Sequence, residues 1–311
     1  IRIPAAWTNT VGFQPSAGRV PSTPRPVGFH LAPFLYEGPI TRTVQDAALV
    51  IDALSSHDPH DPTSVDGLPS MSEAITRDID ELRIGIVEDF GGFPVDPAVR
   101  AAVRRAADAF SGVAKSVSAV SLDLGQSHDE LTETWLRMMG TAMLSEMDSH
   151  RRQKVDLTAA GGVPREVLRW TSRAMAMTMR ELLADRETRT AVLDGFLSAM
   201  DGIDLLVGPT VTALPVLNST GGRTVGPSEV DGVPVDPLIG WCPTYLTNFT
   251  GMPSISLPAG FAENLPVGLL IIGRKYRDAE VFTAAAAFEK IRPWHGAYRE
   301  IAIGNASVPP D

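Results

Sequence analysis

The stretch "LRIGIVEDFGGFPVDPAVRAAVRRAADAF", residues 82–110, decides the fold class. Its opening, "LRIGIVE", is a short apolar run of the kind a buried strand shows. Asp96-Pro97 then places a capping side chain ahead of a proline at the first helical position. Val99, Val103, Ala106 and Phe110 recur on one face of the helix that follows. A strand that runs into an amphipathic helix argues for an α/β layer architecture.

The same reading extends in both directions. Downstream, "IDLLVGPT" (203–210) is a second buried strand, ended by Gly208-Pro209. "PSISLPAG" (253–260) and "PVGLLIIG" (266–273) are neighbouring strands joined by "FAENL". Asp278 caps a last helix with the face Val281, Ala285 and Phe288. Upstream, Thr43 with Asp46 three residues on opens a helix whose apolar face is Val44, Ala47, Ala48, Ile51 and Leu54. Residues 1–40 carry few helix signals: Pro4 biases Ile3 toward extended backbone, and Gly12, Pro15 and Gly18 impose turns. Residues 215–240 read as loop.

Residues 128–200 are helical in character, with a break at Gly161-Gly162-Val163-Pro164, and they hold eight of the ten methionines. Methionine fills irregular space in a helix–helix core and equally makes a deformable wall for an apolar ligand; the core reading outweighs the other. With strands spread between helices, the chain reads as one compact α/β unit with a mixed sheet covered by helices on both faces.

Bulk properties narrow the function classes. The 311 residues give a formal charge of −10, which repels phosphate backbones and argues against nucleic-acid binding. No apolar run reaches the ~20 residues of a membrane helix. A single cysteine, Cys242, suits a reducing compartment and so a cytoplasmic location. The local signals for chemistry are few. There is no nucleotide fingerprint, and no G-x-S-x-G elbow presents a serine to His30, His128, His150 or His295. His57 and His60 lie with Asp58 and Asp61 in the proline-broken "HDPHDPTS" (57–64), a solvated loop with no second ligand cluster, so no metal site is expected. Cys242 lacks any local nucleophile signature.

Several collinear motifs add what the patterning lacks. Ile1-Arg2-Ile3-Pro4 with "GFQPSAGRV" (12–20) resembles the "(S)-I-R-x-P" and "G-x-K-P-[ST]-x-G-R-[VI]" segments of the amidase signature family. "GPITRTVQDAALVIDAL" (38–54), "DPHDPTS" (58–64), "DLLVGPT" (204–210), and "TNFTGMPSISLPAGF" (247–261) with "LPVGLLIIG" (265–273) resemble further segments in order and at natural spacing. Gln14 stands where the family usually has Lys, and Leu270 where it usually has Gln.

The resemblance implies amide hydrolysis by serine acyl transfer, with no cofactor. It places the nucleophile immediately before Ile1, and the second serine, the lysine and the oxyanion-hole glycines further upstream. Residues 1–311 are then the C-terminal portion of one amidase-signature domain, with no catalytic residue of their own. The expected partner is the N-terminal portion of the same protein, whether a separate chain, a continuation across a modified serine, or a part lost by truncation. A homodimer is left open. Ile1 and Arg2 fall on the active-site loop, Arg2 as its brace. Trp135, Met139 and Met143 fall on a helix facing the acyl pocket, Thr210 at a strand end, and Trp241, Cys242 and Thr244 on a bordering segment. The expected substrate is a small or apolar amide. The alternatives are the glutaminase-type component of a tRNA-linked amidotransferase and a non-catalytic binding chain.

Overall fold

A computed structural model describes residues 1–23, 35–158, 163–219 and 224–298. His30, the glycines of the 161–164 break and part of the 215–240 loop lie outside these residues.

Seven strands form one mixed sheet in the order β2-β1-β8-β9-β5-β3-β4. They are β1 (Val11–Gln14), β2 (Ile40–Thr41), β3 (Arg83–Ile86), β4 (Ser116–Ala119), β5 (Leu205–Pro209), β8 (Ser254–Ala262) and β9 (Leu265–Gly273). The β3–β4 and β3–β5 pairs are parallel, and the others are antiparallel. Gly208 and Pro209 are the last two residues of β5, paired opposite Leu270 and Leu269. The β8–β9 link is tighter than the sequence suggests. The strands run on to a two-residue turn, Glu263-Asn264, with φ of 51° and 63°, the left-handed pair that matches the strand twist.

Alternation along the strands feeds two cores. On β5, Leu205 and Val207 join one and Leu206 the other; on β9, Val267, Leu269 and Ile271 oppose Leu270 and Ile272. The first core is closed by α2 (Val44–Leu54), α3 (Met71–Ala74), α4 (Pro97–Asp108) and α9 (Asp278–Ile291). The second is closed by α1 (Arg2–Trp7), α5 (His128–Arg152), α7 (Met179–Ala199) and α8 (Tyr245–Thr250), with α6 (Arg165–Ala176) laid on it through Trp170. Helices therefore cover both faces of the sheet. No helix among the described residues is long and apolar enough to cross a membrane.

Most helix starts follow their caps. Thr43 accepts from the Asp46 N–H at 2.9 Å, and Asp96 accepts from the Ala98 N–H at 2.8 Å. Four expectations need correction. Residues 2–7 are a helix: Pro4 lies in its first turn, where a missing N–H costs no hydrogen bond. Asp278 does not cap α9 with its side chain. It is buried and accepts instead from the Ser16 N–H at 2.9 Å and the Ser16 hydroxyl at 2.6 Å, and its carboxylate forms an ion pair with Arg19, whose Nε lies 3.1 Å away. Leu54 ends α2 in solvent, 41% exposed. Residues 215–240 contain a short hairpin, β6 (Glu229–Val230) and β7 (Val233–Pro234). Of the helical-region methionines, only Met138 and Met200 are buried, while Met175 and Met179 are 74% and 70% exposed.

Candidate functional site

Helix α1 positions the site because the sheet beneath it lacks side chains at two places. A Cβ on Gly12 of β1 would lie 2.6 Å from the Ala5 Cβ, and one on Gly268 of β9 would lie 2.6 Å from the Ala6 Cβ. With Ala5 and Ala6 above and glycine below, the short helix lies close to the strands. Its far end is held by Trp7, stacked on Trp241 with centroids 4.4 Å apart, its indole N–H donating to the Ala213 carbonyl at 3.2 Å.

Its near end is held by Arg2, whose guanidinium is buried. Arg2 Nη1 donates to Ser254 Oγ at 2.7 Å and to the Thr247 hydroxyl, and Nη2 donates to the Asn248 side-chain carbonyl. These hydrogen bonds bind α1 to α8 and to the start of β8. Helix α8 ends at Gly251 with φ 70°, a left-handed cap that turns the chain into β8.

Above these groups lies a cavity of about 200 Å³ lined by Ile1, Arg2, Ile3, Gln14, Leu35, Tyr36, Trp135, Ile239, Thr244, Tyr245 and Asn248. Of the residues picked out from the sequence, Ile1, Arg2, Trp135 and Thr244 meet there. Cys242 lies behind Thr244, its Sγ 2.8 Å from the Thr244 Oγ1, and Trp241 backs α1. Thr210 is fully buried, with its Oγ1 2.9 Å from Ser256 Oγ. Met139 and Met143 are half-buried on α5 and do not border this cavity. Gln14 lines the wall, and its amide donates to the Thr247 and Met252 carbonyls at 3.2 and 3.1 Å. Its place in the motif marked it in the sequence. Tyr36 and Ile239 carried no such signal, because they arrive from loops.

Burial sets the protonation states here. It lowers the Arg2 guanidinium to about 10, which leaves it charged at neutral pH. It pushes the Cys242 thiol up to about 11 despite the Thr244 hydrogen bonds, and the Tyr36 phenol up to about 12 despite Arg189 and Arg2. The Tyr245 phenol is also raised by burial, and it meets the Thr132 hydroxyl at 3.3 Å. No His, Lys, Asp or Glu is among the described lining residues. The described wall therefore offers no imidazole, amine or carboxylate as a general base. Among the described residues, no group of three or more His, Cys, Asp or Glu could hold a metal ion.

The family profile described as Amidase matches residues 1–282. The chain is 31% identical to the acylamidase of Rhodococcus erythropolis, over 94% of this chain and 60% of that protein. It is 32% identical to the A component of the glutamyl-tRNA(Gln) amidotransferase of Lysinibacillus sphaericus (strain C3-41), over 95% and 62%. The chain thus spans somewhat over half the length of these curated relatives. Its fold is similar to a bacterial aryl acylamidase of the amidase signature enzymes, with a TM-score of 0.93 and 40% identity over 100% of this chain and 63% of that one. It is also similar to 6-aminohexanoate cyclic dimer hydrolase, with a TM-score of 0.78 and 25% identity over 95% and 63%.

Proposed function

Because this chain belongs to the amidase signature family, we propose that its protein hydrolyses a carboxylic amide to an acid and ammonia or an amine. The reaction is serine acyl transfer. The serine oxygen bonds to the amide carbonyl, and its proton passes through a second serine to a neutral lysine. The leaving nitrogen takes up a proton as the C–N bond breaks, and water then releases the acid. The residues described above supply the pocket wall and the scaffold. The reacting groups belong to the portion of the family's length that this chain does not span, on the same polypeptide. A cytoplasmic location suits the single cysteine.

One observation carries the reading: the first turn of α1, where the family motif sets the residue next to the nucleophile, borders the cavity and is fastened there by the buried Arg2 fork. The aromatic wall of Trp135, Tyr36 and Tyr245 favours an aryl or other apolar amide. The likeness to the aryl acylamidase supports the same substrate class.

The test is labelling of the full-length protein with a serine-directed phosphonate, followed by peptide mapping and assay of acetanilide hydrolysis. Label on the serine directly before Ile1, with anilide turnover, supports the proposal; label elsewhere, or none with no turnover, overturns it. The likeness to amidotransferase components favours a second reading, in which the protein is the glutaminase of such an assembly. Glutamine hydrolysis that requires tRNA and copurifying proteins, without anilide turnover, would establish that reading.

A further inference from the structure

Gln14, the last residue of β1, stands where the family motif usually has lysine. Its side chain is buried, and its amide nitrogen donates to the carbonyls of Thr247 and Met252 at 3.2 and 3.1 Å. Both partners are acceptors, so the nitrogen and not the oxygen of this amide faces them. The two carbonyls bracket the turn at Gly251, where the chain leaves α8 in a left-handed conformation and enters β8. Across the sheet, Gln14 is the ladder partner of Ser254. Thr247, Asn248 and Ser254 are the residues whose side chains accept from Arg2. One segment, residues 247–254, is thus gripped from two sides: Arg2 holds its side chains and Gln14 holds its backbone.

We propose that Gln14 is a positioning residue for the reaction: it fixes the 247–254 segment so that the acceptors of Arg2, and through Arg2 the first turn of α1, keep one place at the cavity. The contacts close a triangle. Arg2 fastens α1 to α8 and β8, Gln14 fastens the turn between α8 and β8 to β1, and β1 meets α1 directly where Gly12 lies under Ala5. Without the Gln14 donors one side of the triangle opens, although this side chain has no hydrogen bond to α1 itself. Each buried carbonyl then loses a donor, which costs more than the net worth of the bond. The Ala17 N–H still holds the Gly251 carbonyl at 3.0 Å and the ladder at Ser254 remains, so the turn shifts and does not unfold. Such a shift matters because a nucleophile misplaced by ~1 Å can lose ~100-fold in rate. Lysine, with three donors, can make the same two bonds, so the departure from the motif keeps the work of the position. The proposal rests on the amide chemistry above for its effect on turnover.

The test compares two variants of the full-length protein with the native one: Gln14→Met keeps the stem and removes the donors, and Gln14→Lys restores donors. Hydrogen–deuterium exchange is followed at the amides of residues 2–7, and kcat and KM are measured for acetanilide. The expected result for Gln14→Met is exchange in α1 at least ~5-fold faster and kcat lower by ~10- to ~100-fold, with KM within ~3-fold. Gln14→Lys should return both to within ~3-fold of the native protein. A role confined to packing of the turn would speed exchange at 245–254 and leave α1 and kcat alone. Either native exchange in α1 or native kcat in folded Gln14→Met therefore overturns the proposal. So does a Gln14→Lys variant as impaired as Gln14→Met, since the donors would then not be what matters. Where Gln14→Met does not fold, Gln14→Asn takes its place: it keeps the amide but is one methylene too short to reach both carbonyls, and native values for it overturn the proposal equally. A native protein with no anilide turnover removes the proposed reaction, while exchange in α1 still decides whether Gln14 holds that helix in place.

Discussion

The guanidinium of Arg2 reaches three residues on two elements far along the chain, Thr247, Asn248 and Ser254. Replacing it with methionine keeps the stem and removes every donor. Arg2→Met should cost about 2–4 kcal/mol in urea unfolding, and Arg2→Lys less, since an ammonium keeps the charge but not the fork. Cys242 gives a second expectation at this scale. Burial raises its thiol to about 11, so at pH 7.5 iodoacetamide should leave the native protein unmodified and label it only once urea unfolds it. Fast labelling of the native form would contradict the buried position. Arg2 was legible from the sequence because a motif marks it. Tyr36 was not, because its place in the cavity depends on a loop docking against Asn248, whose carbonyl accepts from the Tyr36 hydroxyl at 3.2 Å.

At the scale of elements, strands with continuous apolar runs and helices with a polar cap were readable in advance, as β3, β5, β8, β9, α2 and α4 show. Their signals are local, either a short apolar run or a capping side chain a few residues from its partner. Helix α1 was not readable. A six-residue helix with proline in it has no local reason to form, and what holds it is tertiary: the glycine floor below, the Arg2 fork at one end and the Trp7–Trp241 stack at the other. The floor yields a sharp prediction. Gly12→Ala sets a methyl 2.6 Å from the Ala5 Cβ, so α1 must lift or the strand must bend. The substitution should cost about 1–3 kcal/mol and impair amide turnover in the full-length protein beyond its effect on folding, read as lower kcat at temperatures where the variant is fully folded. Turnover unchanged in a folded variant would show that the height of α1 above the sheet is immaterial. Asp278 went astray for the related reason that its partners, Ser16 and Arg19, come from the other end of the sequence.

At the scale of the whole molecule, among the described residues, carboxylates held below their ordinary values outnumber those pushed the other way, and this shapes acid stability. Asp204 is held low by hydrogen bonds from Arg83, chiefly from its side chain, at 2.9 Å. For Asp52 and Asp61, burial pulls upward but hydrogen bonds prevail, from Ser70, Met71 and Ser72 to the first and from Ser22 and Thr63 to the second. A depressed carboxyl contributes stability that is complete above its unfolded value, near 4, and is lost as pH falls through its folded value. Glu289 runs the opposite way, since burial raises it. The urea midpoint should therefore stay level from about pH 8 to about pH 5 and fall below about pH 4, with Asp204→Asn giving a shallower acid limb. The sheet that these groups surround has one more consequence. Residue 12 pairs with residue 256, and β1 joins the sheet through β8 alone apart from the two-residue edge strand β2. A ribosome must therefore release nearly all of these residues before the strand beneath α1 finds its neighbour. Until then that early segment lacks its sheet partner, and closure of the sheet is a late event dominated by distant pairings.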